Sequence, residues 1–281
     1  MPPSSRAVCA LVSGGLDSAA LLHRLLAAGR RVAPLYLRCG FGWEPAELSW
    51  LRRVLRALRC PRLAPLRIVE LPLRSVYGPH WSLTGRGVPG AATGDAAVYL
   101  PGRNVLLVAH AAVACAPRRI SAIALGLLKG NPFGDASPQC LRLMSRCLTL
   151  ALGRPIRVLV PLRRFTKAQL IRRAASVPLA LTFSCLRPVG RRHCGRCNKC
   201  AERQKAFLRA QIADPTRYAS RKKGTGSALS NSRGSRAQSV RHVSRCETTG
   251  RKVSDTCCGR PGSFSTEQTG SISSGGHRWK K

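Results

Sequence analysis

Acidic residues are scarce in this chain: 11 Asp and Glu stand against 48 Lys and Arg in 281 residues, a formal net charge of +37. Such an excess attracts polyanions, nucleic acid included, at low salt. Aromatic residues are also few, at 5%. With no arginine-aromatic recognition motif, the excess reads first as arginine on solvated faces. No apolar run reaches eighteen residues, and MPPSSRAV, ahead of the first apolar segment, lacks a signal-peptide core. The expectation is a cytoplasmic protein with no membrane partner. There, thirteen cysteines read as buried thiols and metal ligands rather than a disulfide framework. Missing too is the G-x-x-x-x-G-K-[ST] pattern, which excludes the phosphate loop of motors and kinases.

From Ala219 onward the chain also lacks apolar periodicity, running through Ser, Gly, Arg, Lys and Thr. Such a segment cannot bury enough apolar surface to offset its ordering entropy, so a disordered tail is expected, making at most weak contact with RNA. The division expected is a nucleotide-binding α/β domain over 1–180, a cysteine-bearing segment and helix over 181–218, and the basic tail over 219–281.

What is there begins with AVCALVSGGLDSAALLHRLLAAG. Ala7 to Val12 is apolar and β-prone, Gly14-Gly15 supplies a free backbone, and Leu16 to Leu26 carries apolar residues at helical spacing. Strand, tight turn and helix in that order point backbone N–H groups into the space ahead of the helix, where its dipole favours an anion. An anion between Ser13 and Ser18 is therefore expected; the plainer reading is a Gly-Gly turn with Asp17 and Ser18 in the first helical turn.

Strand and helix signals then alternate: RRVAPLYLRC, PAELSWLRRVLRAL, LRIVELPL, PGRNVLLVAHAAVACA, RRISAIALGLL, SPQCLRLMSRCLTLAL, IRVLVPL and KAQLIRRAAS. This pattern predicts an α/β, doubly wound parallel five-stranded sheet, Rossmann-like, with a Gly- and Pro-rich loop over 77–97. Ligands in such sheets sit beyond the carboxyl ends of the strands, where strand order reverses. The polar segments at 101–104, 128–137 and 163–167 would gather there.

TFSCLRPVGRRHCGRCNKCAERQKAF carries Cys185, Cys194, Cys197 and Cys200, spaced C-x8-C-x2-C-x2-C. Four thiolates at such spacing suit a closed tetrahedral zinc, hence a structural site, with Arg191, Arg192, Arg196 and Lys199 favouring thiolates. The same ligands also suit an iron–sulfur cluster. His193 reads as a surface histidine.

S-G-G-L-D-S resembles the pyrophosphate loop of adenylating enzymes related to asparagine, GMP and NAD synthetases and several tRNA-modifying enzymes, which split ATP between its α- and β-phosphates. That resemblance implies an adenine nucleotide alpha hydrolase-like fold with a C-terminal zinc-binding helical segment. Ser13, Gly14, Gly15, Leu16 and Ser18 would hold the nucleotide and Asp17 would orient the loop or Mg2+. Together with Y-L-P-G-R-N at 99–104, F-T-K at 165–167 and the cysteine run, the chain resembles the 7-cyano-7-deazaguanine synthase family over about residues 7–210.

The resemblance implies an ATP-dependent ligase that adenylates 7-carboxy-7-deazaguanine, captures ammonia to give an amide, and dehydrates it to the nitrile in queuosine biosynthesis. Catalytic candidates are Asp17, Arg103 and Lys167, the latter two as clamps on phosphate or carboxylate. Asn104 and Asp135 would join Arg103 in binding a purine-like edge, with a helix cap as the other role for Asn104. A homodimer is expected. GLLKGNPFGDASP departs from the longer tyrosine-containing stretch of typical members. Two other readings remain open at this stage: a tRNA-modifying enzyme of the same superfamily, for which only Cys39 is placed to carry sulfur, and a non-catalytic, zinc-stabilised nucleic-acid-binding module.

Overall fold

The computed structural model describes residues 7–174 and 176–220. The tail lies outside the described residues from Arg221 on.

The first apolar run forms β1 (Val8–Leu11), and the first helix, α1, spans Leu16–Ala27. They are followed by β2 (Val32–Arg38), α2 (Glu44–Ala57), β3 (Arg67–Glu70) and two one-turn helices, α3 (Arg74–Tyr77) and α4 (Trp81–Thr84). Then come α5 (Arg103–Cys115), β4 (Ala122–Ala124), α6 (Pro138–Ala151), β5 (Arg157–Leu159), α7 (Lys167–Arg172) and α8 (Asn198–Ala210). All five strands are parallel, in the order β3-β2-β1-β4-β5. Strand order reverses between β1 and β4, where Val8 pairs with Ala122.

Alternation along the strands divides the core in two. Val8 and Ala10 of β1, with Tyr36 and Ala122, pack against α1, α2, α7 and α8. Cys9, Leu35, Leu37 and Ile123 face the other way, against α5 and α6. Helices on both faces make the sheet doubly wound, as its sequence pattern predicts. The apolar runs expected as the fourth and fifth strands pair over only three residues each. Ala122–Ala124 lies against a first strand of four residues, and the remaining apolar side chains serve the loops that leave the sheet. A third cluster, around Trp43 and Phe183, encloses the four cysteines.

The stretch Asp95–Arg118 is long and apolar enough to cross a membrane by composition, with a mean hydropathy of 1.3. Its α-helix is the 13-residue α5, about 20 Å long against a hydrocarbon layer of about 30 Å. Val108, Ala111 and Ala112 on that helix are buried in the core.

Candidate active site

The turn after β1 is shaped by Gly14. Its φ is +74°, and a Cβ there would stand 3.0 Å from Leu51 Cα of α2, so both the backbone angle and the space exclude other residues. The loop is tied internally: Ser13 N–H donates to Ser18 Oγ at 3.3 Å, and Ser18 Oγ donates to Gly15 O at 3.1 Å. Gly15 is the N-cap of α1, and no side chain caps the first turn. The positive end of the helix is thus left open to the cleft. At the exit of β4, a Cβ on Gly126 would lie 3.0 Å from Asp17 O, so the glycine lets the two loops close on one another.

The cleft has a volume of about 480 Å³ and is lined by Ser13, Gly15, Leu16, Asp17, Ser18, Arg103, Asn104 and Lys167. Lys167 reaches it because Thr166 and Gln169 form a reciprocal capping box, fixing the lysine as the first residue of α7. Its Nζ lies 3.3 Å from Asp17 Oδ2 and also pairs with Glu202 of α8. Lys199 Nζ holds the second Glu202 oxygen at 2.6 Å. The two lysines hold the Glu202 carboxyl down at about 2, overcoming its burial. Burial dominates at Asp17, whose carboxyl is raised despite Lys167. Asp17 Oδ1 is buried with no hydrogen-bond partner among the described residues, and an orphaned carboxylate oxygen beside a phosphate-type loop fits a hard divalent cation.

Arg103 opens α5 behind Gly102, which takes the N-cap in the left-handed region at φ +68°. The helix cap, the other role open to Asn104, therefore falls to a residue two positions earlier. Asn104 is instead bonded to Asp135, whose two oxygens accept its backbone N–H at 2.9 Å and its side-chain Nδ2 at 3.0 Å. Asp135 does not line the cleft. It acts as a remote cap joining α5 to the turn before α6, with both its oxygens engaged by Asn104, where the sequence reading set it against a purine edge. Phe133 from the same turn stacks on Tyr99, ring centroids 4.6 Å apart, and lines the cleft.

The cleft is also lined by two glutamates that sequence reasoning missed. Glu44 accepts N–H groups from Cys39 at 2.6 Å and Gly40 at 3.2 Å. Glu47 accepts Tyr36 Oη at 2.7 Å. Both glutamates sit in the first turn of α2. The signal was topological, since α2 starts at the same sheet edge as α1. Cys39, the candidate for sulfur transfer, is buried, and burial with Glu44 beside it pushes its thiol up to about 12. That disfavours the thiolate needed for sulfur chemistry.

The cysteines converge. All four Sγ atoms lie within 4.8 Å of one another, with Cys194 to Cys200 and Cys185 to Cys197 both at 3.9 Å. Four thiolates about 2.3 Å from one tetrahedral ion would be about 3.8 Å apart. The set fits a single metal ion, and it lies close to the phosphate-type loop: Phe183 N–H donates to Gly14 O at 2.9 Å. His193 is not on the surface. It is buried at 2% exposure among Phe183, Trp50 and Tyr218, accepting Ser184 N–H at Nε2, 2.9 Å away. Burial, helped by the charge of Arg203, pushes its pKa down to about 4. Beyond Tyr218, Ser220 Oγ donates to Cys194 O at 2.6 Å.

Residues 6–211 match the family model described as queuosine biosynthesis protein QueC. The chain is 34% identical over 231 residues to the 7-cyano-7-deazaguanine synthase of Anaeromyxobacter sp. (strain Fw109-5), covering 77% of this chain and 97% of that one. It is 30% identical over 226 residues to that of Methanoculleus marisnigri, covering 76% and 98%. Among solved structures, a 4-thiouridine synthetase–RNA complex with bound ATP is similar at a TM-score of 0.39 and 16% identity, over 74% of this chain and 51% of that one.

Proposed function

The chain belongs to the family of queuosine biosynthesis protein QueC, and from that premise we propose that it makes a 7-cyano-7-deazaguanine nitrile from the corresponding carboxylate, ATP and ammonia. The observation that carries this reading is the single cleft onto which the SGGLDS loop, Lys167, Arg103 and the stacked Phe133 all open.

A carboxylate is a poor electrophile until AMP is attached, and departing pyrophosphate must be neutralised while water is kept out. The backbone of Ser13 to Ser18 and the open end of α1 receive the phosphates. Lys167, held between Asp17 and Glu202, supplies a fixed positive charge beside them. Arg103, which has no ion pair among the described residues, clamps the substrate carboxylate through its fork. Asp17 Oδ1 would hold Mg2+, which supplies charge neutralisation on the phosphates when bound. Cys185, Cys194, Cys197 and Cys200 would hold Zn2+ in a structural role, its coordination closed by protein. The reaction class follows as carbon–nitrogen ligation coupled to cleavage of ATP to AMP and pyrophosphate.

The test is a product assay with the full chain, magnesium-ATP, ammonium and 7-carboxy-7-deazaguanine, read by mass spectrometry. Nitrile with AMP and pyrophosphate is the expected outcome. AMP without nitrile, or turnover only when tRNA is added, would move the substrate elsewhere.

A further inference from the structure

Four of the carboxylates bordering the cleft are accounted for. Asp17 and Glu202 are held by lysines, Glu44 by two backbone N–H groups, and Asp95 stands in solvent. Glu47 differs in being held by neither a lysine nor a backbone N–H while not standing exposed in solvent. Among the described residues it has no cation within ion-pair distance, and its one hydrogen bond is the 2.7 Å bond from Tyr36 Oη to Oε2. Oε1 is left without a donor on a residue that lines the cleft.

Resting on the reading just given, we propose that Glu47 is the general base of the last step, taking the nitrogen-bound proton as the activated amide collapses to the nitrile. The balance is as follows. The amide oxygen attacks the α-phosphorus of ATP, pyrophosphate leaves taking one of the two amide-nitrogen protons, and an imidate R–C(=NH)–O–AMP with one N–H remains. Its N–H proton passes to Glu47 Oε1, the freed electron pair completes the C≡N bond, and the C–O bond breaks with its pair on AMP. No oxidant or further reactant is needed.

The surroundings suit the role. Burial pushes the Glu47 carboxyl up to about 8, opposed by the Tyr36 hydrogen bond, reinforced by Glu44 and opposed again by Arg103. A base works best with a pKa near the operating pH. The groups facing it are Tyr36 of β2, Cys39 just beyond that strand, Glu44 on its own helix and Arg103 of α5. Tyr36 is pushed above its ordinary value by burial, so it stays protonated and keeps donating. Cys39 stays a thiol for the same reason, and Glu44 is fixed by Cys39 and Gly40.

The experiment supplies the full-length chain with magnesium-ATP and the amide itself, omitting ammonia, and follows nitrile formation across pH 6 to 10. In the wild type, kcat is expected to rise with pH through a midpoint near 8. In Glu47→Gln, kcat falls by about a hundredfold or more, KM for the amide changes little, and the rising limb disappears. Tyr36→Phe is the second variant: it removes the bond that lowers the Glu47 pKa, so the midpoint moves to higher pH. A Glu47→Gln protein that keeps kcat and loses affinity would make the residue a recognition group and overturn the proposal, as would unchanged kinetics. Wild-type protein that makes no nitrile from the amide overturns the preceding functional reading as well; normal wild-type turnover with an unimpaired variant overturns this one alone.

Discussion

At the SGGLDS loop no side chain caps α1, Ser13 is exposed, and Asp17 Oδ1 has no partner among the described residues. At the cysteine knuckle the sulfurs collect backbone donors: Cys197 Sγ from Leu186, Cys185 Sγ from Cys194, and Cys194 Sγ from both Arg196 and Cys197, all at 3.3–3.4 Å. One site leaves its polar groups unsatisfied, and the other completes them within the chain. Buried polar groups without partners are costly, so an open set persists where a ligand fills it, whereas a closed set serves the fold. The two are joined by the bond from Phe183 to Gly14 and by α8, which starts at the knuckle and carries Lys199 and Glu202 into the cleft.

The comparison breaks most visibly at the knuckle. Cys194→Ser is expected to lower bound metal from about one ion per chain to near none and the melting midpoint by about 10 °C or more. Adenylation should be lost with it, because α8 is freed. Metal analysis, melting curves and pyrophosphate release test this together; retained ATP turnover in a metal-free protein would uncouple the sites. Next is Gly14→Ala, which forces a left-handed residue against the α2 backbone and should cost about 2–4 kcal/mol in denaturant melts. A smaller change would mean α2 can yield.

Lys167→Met is expected to cost about 1–3 kcal/mol and to weaken ATP use at least tenfold. It also carries a pH signature. The Glu202 carboxyl lies at about 2 in the fold against an ordinary 4.5. Its contribution to stability is therefore present above about 4.5 and is lost as pH falls towards 2. Without Lys167 that acid-side loss shrinks, so wild-type and variant melting curves converge on acidification. The smallest effect on stability belongs to Gly15→Ala. Gly15 has φ −68° and an added Cβ would come no closer than 3.4 Å to another atom, so stability should move by less than about 1 kcal/mol. If nucleotide affinity nevertheless drops, measured by titration calorimetry, the glycine serves the ligand rather than the turn.

The phosphate-type loop and the knuckle were legible because each is local: the residues that make them are neighbours in sequence and their types carry the chemistry. The doubly wound sheet was legible from alternation alone. What escaped depends on residues brought together from afar. His193 looks exposed between Arg192 and Cys194, yet Trp50 of α2, whose Nε1 donates to Arg191 O at 2.7 Å, helps close the wall over it. Asn104 and Asp135 both look like free polar residues until the fold sets one against the other. Glu47 and Tyr36, eleven positions apart, belong to a helix face and a strand whose patterns say only "polar" and "apolar".

The bond from Phe183 to Gly14 also has a bearing on the order in which the protein is made. The SGGLDS loop leaves the ribosome before the groups that steady it, from Phe183 to Glu202, which follow about 180 residues later. At cellular elongation rates that interval is about 10 to 40 s. Through it the nascent chain carries a phosphate cradle without its lysine-carboxylate network. The tie from Phe183 to the loop and the pairing of Lys167 with Glu202 can therefore form only once the four-cysteine segment has been synthesised, so the last part of the described chain to be made is the one that completes the cleft begun by the first strand.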